Sequence, residues 1–256
     1  MLEVEKLSKT FSSGLLKKKY IEALRDVSFK IKKGETLGLL GESGSGKSTL
    51  GRLILRLIEP SSGKIYFNGT EITALNKKEF IKFRKKIQII FQHPESALNP
   101  RMKLYDSMAE PLRIHKITRT KSDEKAKIRE LLETVNLQEE LLKRYPNQLS
   151  GGQIQRAVIA RVLALEPEFI VADEPTSMLD VSIQAEILRL MKGLQKKKGI
   201  SYLFISHDHE VVAHMASRIG VIKRGEMVEI GEVKEILKRP EHTYTKKILT
   251  LSRELS

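Results

Sequence analysis

Two stretches of this chain put glycine amides where an anion can rest on them. The first, "GESGSGKST", fits G-x-x-x-x-G-K-[ST], with Gly41, Gly46, Lys47 and Ser48 in register and Thr49 closing the motif. Across Gly41, Glu42, Ser43, Gly44, Ser45 and Gly46 the glycines let successive N–H groups curl around a β-phosphate. Lys47 is placed to neutralise β- and γ-oxygens, and Ser48 to ligate Mg²⁺. A dinucleotide fingerprint starting at Gly44 fails, because Thr49 stands where its last glycine belongs. The second stretch is "LSGGQ", residues 149–153, in which Ser150, Gly151 and Gly152 precede an apolar-periodic run. That is a helix N-terminus with a capping hydroxyl and two amides that an anion can approach closely.

Polar residues at three strand ends complete the chemistry. "FIVADEP" delivers Asp173, placed to hold Mg²⁺ through water, and Glu174, placed to orient or deprotonate an attacking water. The plainer alternative is an acidic pair capping the next helix. "IIFQ" leads to Gln92, which can bridge metal and water, and "YLFIS" leads to Ser206 and His207, whose imidazole can donate to a γ-phosphate oxygen. Each alone also reads as an ordinary polar group at a strand end. Together with the glycine loop they converge on one edge of one sheet, where open α/β folds bind ligands.

These positions need an alternating scaffold, and the pattern supplies one. "LEVEKL" and "DVSFKI" read as short strands within residues 1–35, and "ETLGLL" as a buried strand feeding the glycine loop. Leu50, Leu53, Ile54 and Leu57 then mark one face of a helix. "SSGKIYFNG" and "KIQIIFQ" are further strands. From Gln92 to about Leu149 strand runs vanish, and "KSDEKAKIRELLETVNL" and "EELLKRY" read as amphipathic helices. Ile154, Val158, Val162 and Leu165 make the apolar stripe of the helix behind "LSGGQ". Afterwards strand and helix alternate: "EFIVAD", a helix over Ser182–Lys198 with core stripe Ile183, Ile187, Met191 and Leu194, "SYLFIS", a helix over Asp208–Ser217, and "RIGVIKRG". The expectation is an α/β fold, a parallel sheet covered by helices with a helical insert, in a single domain with lobes.

Composition excludes several other chemistries. With no cysteine there is no disulfide framework, thiolate zinc site or cysteine-held iron–sulfur cluster. The N-terminus is charged where a signal peptide is apolar, and no apolar run approaches the roughly 20 residues that cross a bilayer. A net charge of +14 invites a nucleic-acid reading. The lysines, however, are spread through runs such as "LLKKKY", "FRKKIQ" and "LQKKKG", and aromatics are only 5% with no tryptophan, so no stacking platform accompanies them. A solvated surface, or one facing anionic lipid, fits better, and no nucleic-acid partner is expected.

The ordered set "GESGSGKST", "FQ", "LSGGQ", "FIVADEP", "SMLD", "SHD" resembles the ATP-binding cassette (ABC) ATPases over nearly the whole chain. The resemblance implies a P-loop NTPase (RecA-like) core, an antiparallel β subdomain and an inserted α-helical subdomain. Residues 1–91 and about 155–240 would form the β lobe and core, about 92–154 the helical signature subdomain, and about 241–256 a C-terminal tail. It implies ATP and Mg²⁺ as ligands, with Ser48, Gln92 and Asp173 on the metal and Glu174, His207 and Gln92 catalytic. It also implies two cassettes head to tail, so that Ser150, Gly151, Gly152 and Gln153 of one close over ATP in the other's loop and Asp180 couples the two sites. Met178 departs mildly from the family's usual alanine. An aromatic under the adenine is expected at Phe11, with Tyr20 as rival.

"FQHPESALNPRMKLYDSMAEPL" and the tail "HTYTKKIL" resemble the peptide and nickel importer branch, whose "HPYT" element has proline where this chain has Thr243. Many relatives extend into a cysteine-containing iron–sulfur segment; this sequence stops at Ser256 without one. The resemblance implies a peripheral protein at the cytoplasmic face of the membrane. Its partners would be a second ATPase subunit (identical or a paralogue), two transmembrane permeases whose short helices enter a groove of the helical lobe near Gln92–Arg101, and, indirectly, an extracytoplasmic solute-binding protein. The alternatives are an accessory ATPase of phosphonate breakdown and a soluble ABC ATPase acting on DNA or ribosomes.

Overall fold

The computed structural model describes residues 1–13 and 19–254, so most of the "LLKKKY" run lies outside the described residues. The chain divides into two compact units, residues 1–84 with 199–256 and residues 85–198.

The first unit begins with two long strands, β1 (Leu2–Ser13) and β2 (Lys19–Ile31), paired antiparallel from Leu2↔Ile31 to Ser13↔Lys19. The short strands and turns expected over residues 1–35 are thus one extended ribbon. Its register shifts are absorbed by bulges, with Lys6 (φ 44°) and Asp26 (φ 47°) in the left-handed region. These keep Leu2, Val4, Leu7, Leu24 and Val27 all inward despite the broken alternation. β3 (Thr36–Leu40) follows, buried throughout, and runs through the glycine loop into α1 (Lys47–Ile54). Leu50, Leu53 and Ile54 of α1 are fully buried, whereas Leu57 lies beyond the helix end and is 54% exposed. The helix stops because Arg56 takes φ 50°. β4 (Ser62–Phe67) and β5 (Thr70–Glu71) complete a sheet of order β2-β1-β4-β5, before α2 (Lys77–Arg84).

The second unit opens with β6 (Ile87–Ile90), followed by α3 (Leu104–Ile114), α4 (Lys121–Val135) and α5 (Gly151–Leu163). "EELLKRY" forms 3-10 turns over Glu139–Lys143 rather than an amphipathic helix. A Thr120–Asp123 capping box starts α4. Buried Glu124 ties it to α3, accepting from Arg113 Nε and Nη2 at 2.7 and 2.8 Å, Tyr105 Oη at 2.7 Å and Lys121 Nζ at 2.7 Å. α5 carries more than a stripe. Gln155, Ala157, Val158, Ile159, Ala160, Val162 and Leu163 are all buried, so it is a central helix rather than a surface one, and Leu165 falls past its end. β7 (Phe169–Asp173) pairs parallel with β6, Ile87↔Phe169 to Ile90↔Ala172, and α6 (Val181–Lys198) closes the unit. On α6 the buried set is Ile187, Leu188, Met191 and Leu194; Ile183 is only half-buried.

The chain returns to the first unit as β8 (Ser201–Ile205), α7 (His209–Met215), β9 (Arg218–Lys223), β10 (Glu226–Glu232), α8 (Val233–Lys238) and α9 (Thr243–Glu254). β8 and β9 flank β3 in parallel, and β10 pairs antiparallel with β9. Parallel strands covered on both faces read as unbroken apolar runs, as "TLGLL" and "SYLFI" do. α7 packs on β3 through Gly38, where an added Cβ would stand 2.2 Å from Val212 Cγ1. Among the described residues no helix is long and apolar enough to cross a membrane.

Candidate functional site

In the first unit the glycine loop leaves the carboxyl end of β3. Its α1 starts at Gly46 with φ 110°, an N-cap that makes no side-chain capping hydrogen bond among the described residues. An uncapped N-terminus keeps several N–H groups without an intrahelical acceptor, and its partial positive charge favours an anion. Gly44 holds φ 77°. At Gly46 an added Cβ would lie 2.6 Å from the Ala23 carbonyl oxygen, so glycine is required there by conformation and by space. Lys47, nearly buried, donates from Nζ to the carbonyls of Gly41 at 2.7 Å and Glu42 at 2.9 Å. The Ser45 hydroxyl is buried and has no hydrogen-bond partner among the described residues. The Ser45 carbonyl accepts the Gly225 N–H at 2.9 Å, which clips the β9–β10 turn to the loop. Cradle, ammonium and orphan hydroxyl together fit a phosphate chain.

Three further expected residues belong to this unit: His207, Phe11 and its rival Tyr20. The Leu39↔Ile205 register and the Ser206 N–H donated to the Leu39 carbonyl at 3.3 Å bring exposed His207 to the same carboxyl edge as the loop. Phe11 is 39% exposed, with Lys9 Nζ 5.0 Å over its ring, and Tyr20 is 68% exposed. The ladder pairs Phe11 with Ile21 and Ser12 with Tyr20, so the two aromatic rings lie on opposite faces of the ribbon.

The second unit holds the other set. Through the β6–β7 pair, Gln92 and the Asp173–Glu174 pair share one carboxyl edge; Gln92 is exposed and both acids are half-buried. Glu174 takes φ 48°, an uncommon conformation for glutamate, and its carbonyl accepts the Ser177 Oγ hydrogen at 3.2 Å. Such backbone strain costs about 1–3 kcal/mol and clusters at working sites. Ser150 caps α5 in a capping box: its Oγ accepts the Gln153 N–H at 3.3 Å, and Gln153 Oε1 accepts the Ser150 N–H at 3.0 Å. Gln153 therefore secures the cap itself.

Sequence reasoning did not anticipate a packing role for the glycines. An added Cβ would meet Ile183 Cγ2 at 2.7 Å at Gly152 and Leu179 Cδ2 at 3.3 Å at Gly151. Leu179 and Ile183 flank exposed Asp180, whose carbonyl accepts the Gln184 N–H at 2.8 Å at the head of α6. The bared amides of "LSGGQ" and the Asp180 segment are thus packed side by side. The sequence pattern puts Ile183 in the core stripe of α6; in the structure it is only half-buried and faces Gly152 instead, a contact that no local pattern marks.

A family model described as "ABC transporter" matches residues 24–177, more than half of the chain and all of the first loop. The chain belongs to the ABC transporter family. It is 49% identical over 251 residues to the oligopeptide transport ATP-binding protein OppF of Bacillus subtilis (strain 168), covering 98% of this chain and 81% of that protein. It is 44% identical over 252 residues to the dipeptide transport ATP-binding protein DppF of Lactococcus lactis subsp. cremoris, with 98% and 80% coverage. Among solved structures it is similar to a dimeric ATP-binding cassette in a post-hydrolysis state bound to ADP and Pi, with TM-score 0.81 and 32% identity over 91% of this chain and 99% of that one. The fold is accordingly a P-loop NTPase α/β fold, and the ABC cassette is an ATPase that binds and hydrolyses ATP.

Proposed function

We propose that this cassette is the ATP-hydrolysing subunit of an importer for peptides, held at the cytoplasmic face of the membrane by two permeases that a solute-binding protein serves. The observation that carries the reading is the uncapped start of α1, with Lys47 folded back on the Gly41 and Glu42 carbonyls beside it. The peptide branch is supported by what the relatives' names print. Nickel is the competing solute.

The residues would work as follows. The N–H groups of Gly41 to Thr49 bind the triphosphate while Lys47 exchanges two carbonyl acceptors for phosphate oxygens. The exchange keeps the ammonium hydrogen-bonded throughout, so little desolvation is left uncompensated. Ser48, Gln92 and Asp173 are an all-oxygen donor set suited to Mg²⁺, which when bound neutralises charge developing on the β- and γ-oxygens. Glu174, which directly follows β7, orients the attacking water and takes its proton. His207 donates to a γ-phosphate oxygen. Phe11 stacks on the adenine, with Tyr20 on the wrong face if Phe11 is correct. In the second cassette, a copy or a paralogue, Ser150, Gly151 and Gly152 present hydroxyl and amide donors to the γ-phosphate, Gln153 fixes the cap and Asp180 reports closure to the opposite site. The helical region about 92–154 receives the permease helices.

The test is purification with the two permeases and assay of hydrolysis on addition of the binding protein loaded with peptide or with Ni²⁺. Stimulation by peptide supports the reading. Stimulation by Ni²⁺ alone changes the solute, and failure to associate with any permease removes the importer role.

A further inference from the structure

The segment "HTYT", His242–Thr245, opens α9, and the phosphate chemistry gives it no task. A chain of hydrogen bonds nevertheless leads from it to the loop. On β10, Glu229 accepts the N–H of Glu241 at 2.8 Å and of His242 at 3.1 Å. His242 Nδ1 accepts the Tyr244 N–H at 3.1 Å. The Tyr244 side chain is buried, with Lys223 Nζ 5.0 Å over its ring, and its hydroxyl accepts the Glu42 N–H at 3.2 Å. Glu42 is also the residue whose carbonyl accepts Lys47 Nζ. One residue of the loop is therefore held at its N–H by the C-terminal helix and at its carbonyl by the lysine that must let go. On this flank Glu42–Ser45 and Tyr244 border a hollow of about 550 Å³ shared with Lys223, Arg224 and Lys247.

We infer that Tyr244 is a positioning residue for the phosphate loop: its hydroxyl holds the Glu42 N–H in place while Lys47 moves from the Gly41 and Glu42 carbonyls to the nucleotide. Without that anchor the loop has more conformations to surrender on binding, and affinity falls by the fraction of time it is correctly formed. The inference rests on the assignment of Gly41–Thr49 as the nucleotide cradle. The spacing of 202 residues between donor and acceptor hides the link from any local motif.

The test measures binding of a fluorescent N-methylanthraniloyl-ATP to the full chain and amide hydrogen exchange across Gly41–Lys47 without nucleotide. Four proteins are compared: wild type, Tyr244→Phe, Leu249→Ala and Lys47→Ala. Tyr244→Phe keeps the ring and removes one hydrogen bond, so affinity should fall about 2- to 10-fold and loop exchange should quicken. Leu249→Ala opens the packing on the buried face of the same helix but leaves the hydroxyl, so it should lower the melting temperature without changing affinity or loop exchange. Wild-type affinity and exchange in Tyr244→Phe, with binding lost in Lys47→Ala, overturns the inference alone. Equal loss of affinity in Leu249→Ala overturns it in favour of a purely structural role. Undiminished binding by Lys47→Ala overturns the cradle assignment and the inference with it.

Discussion

Replacing Gly46 by alanine should damage the protein far more than replacing Gly44, although both glycines hold positive φ in the same loop. At Gly44 (φ 77°) an added Cβ meets nothing within 4 Å, so only the left-handed backbone is penalised. That term is about 1–2 kcal/mol. At Gly46 (φ 110°) the same penalty applies, and the added Cβ also falls 2.6 Å from the Ala23 carbonyl oxygen and 2.9 Å from Leu24 Cδ2. Ala23 lies within β2, so its carbonyl cannot swing aside as a side-chain terminus can. Overpacking of this kind adds about 1–3 kcal/mol, bringing the total to about 2–5 kcal/mol against a typical domain stability of about 5–15 kcal/mol. Urea unfolding of the nucleotide-free variants, read as midpoints at unchanged m-value, measures the difference. Equal midpoints for the two variants, or a Gly46→Ala protein as stable as wild type, would refute the steric reasoning.

Glu174→Gln should retain ATP binding and lose about 10²- to 10⁴-fold in turnover, the span of general-base catalysis, in a steady-state phosphate-release assay. Phe11→Ala should weaken binding of ATP more than that of inorganic triphosphate, and Tyr20→Ala should not; the reverse pattern in isothermal titration moves the adenine to the other face of the ribbon. The Glu124 carboxyl is held far below its ordinary value of 4.5, first by the hydrogen bonds from Arg113 and then, against the opposing effect of burial, by those from Lys121 and Tyr105. Stability from that depressed pKa is fully present above pH 4.5 and is lost as pH falls through the acid range. Glu124→Gln should therefore cost about 1–3 kcal/mol at pH 7 and flatten the acid limb of a melting-temperature profile.

The legible part of this molecule was the part written in consecutive residues. "TLGLL" followed by the glycine loop and the Leu50, Leu53, Ile54 face specifies a strand, turn and helix because each needs only neighbours three or four positions away. The misreadings share a physical cause. Leu57 continues the periodicity, yet Arg56 in the left-handed region has already turned the chain, and no apolar count registers that. "EELLKRY" is too short to nucleate an α-helix and settles into 3-10 turns. Over residues 1–35, bulges at Lys6 and Asp26 break the period of two, so one long ribbon reads as fragments. In the candidate site, residue types and spacing carry the expectation, whereas the contacts that hold those residues in place are not local in sequence. Ile183 against Gly152, Gly225 on Ser45 and Tyr244 on Glu42 join residues 31 to 202 positions apart, and only the folded chain brings them together.

The central claim is that each ATP is cleaved between the glycine loop of one cassette and the "LSGGQ" amides of another. It is tested most directly by mixing two disabled proteins, Lys47→Ala and Ser150→Arg, and measuring phosphate release. Each alone should be inactive, and the mixture should regain up to about a quarter of the wild-type rate, the share of intact paired sites from random association of two such chains. Wild-type hydrolysis by Ser150→Arg alone, in a protein that stays monomeric with ATP bound, would contradict it.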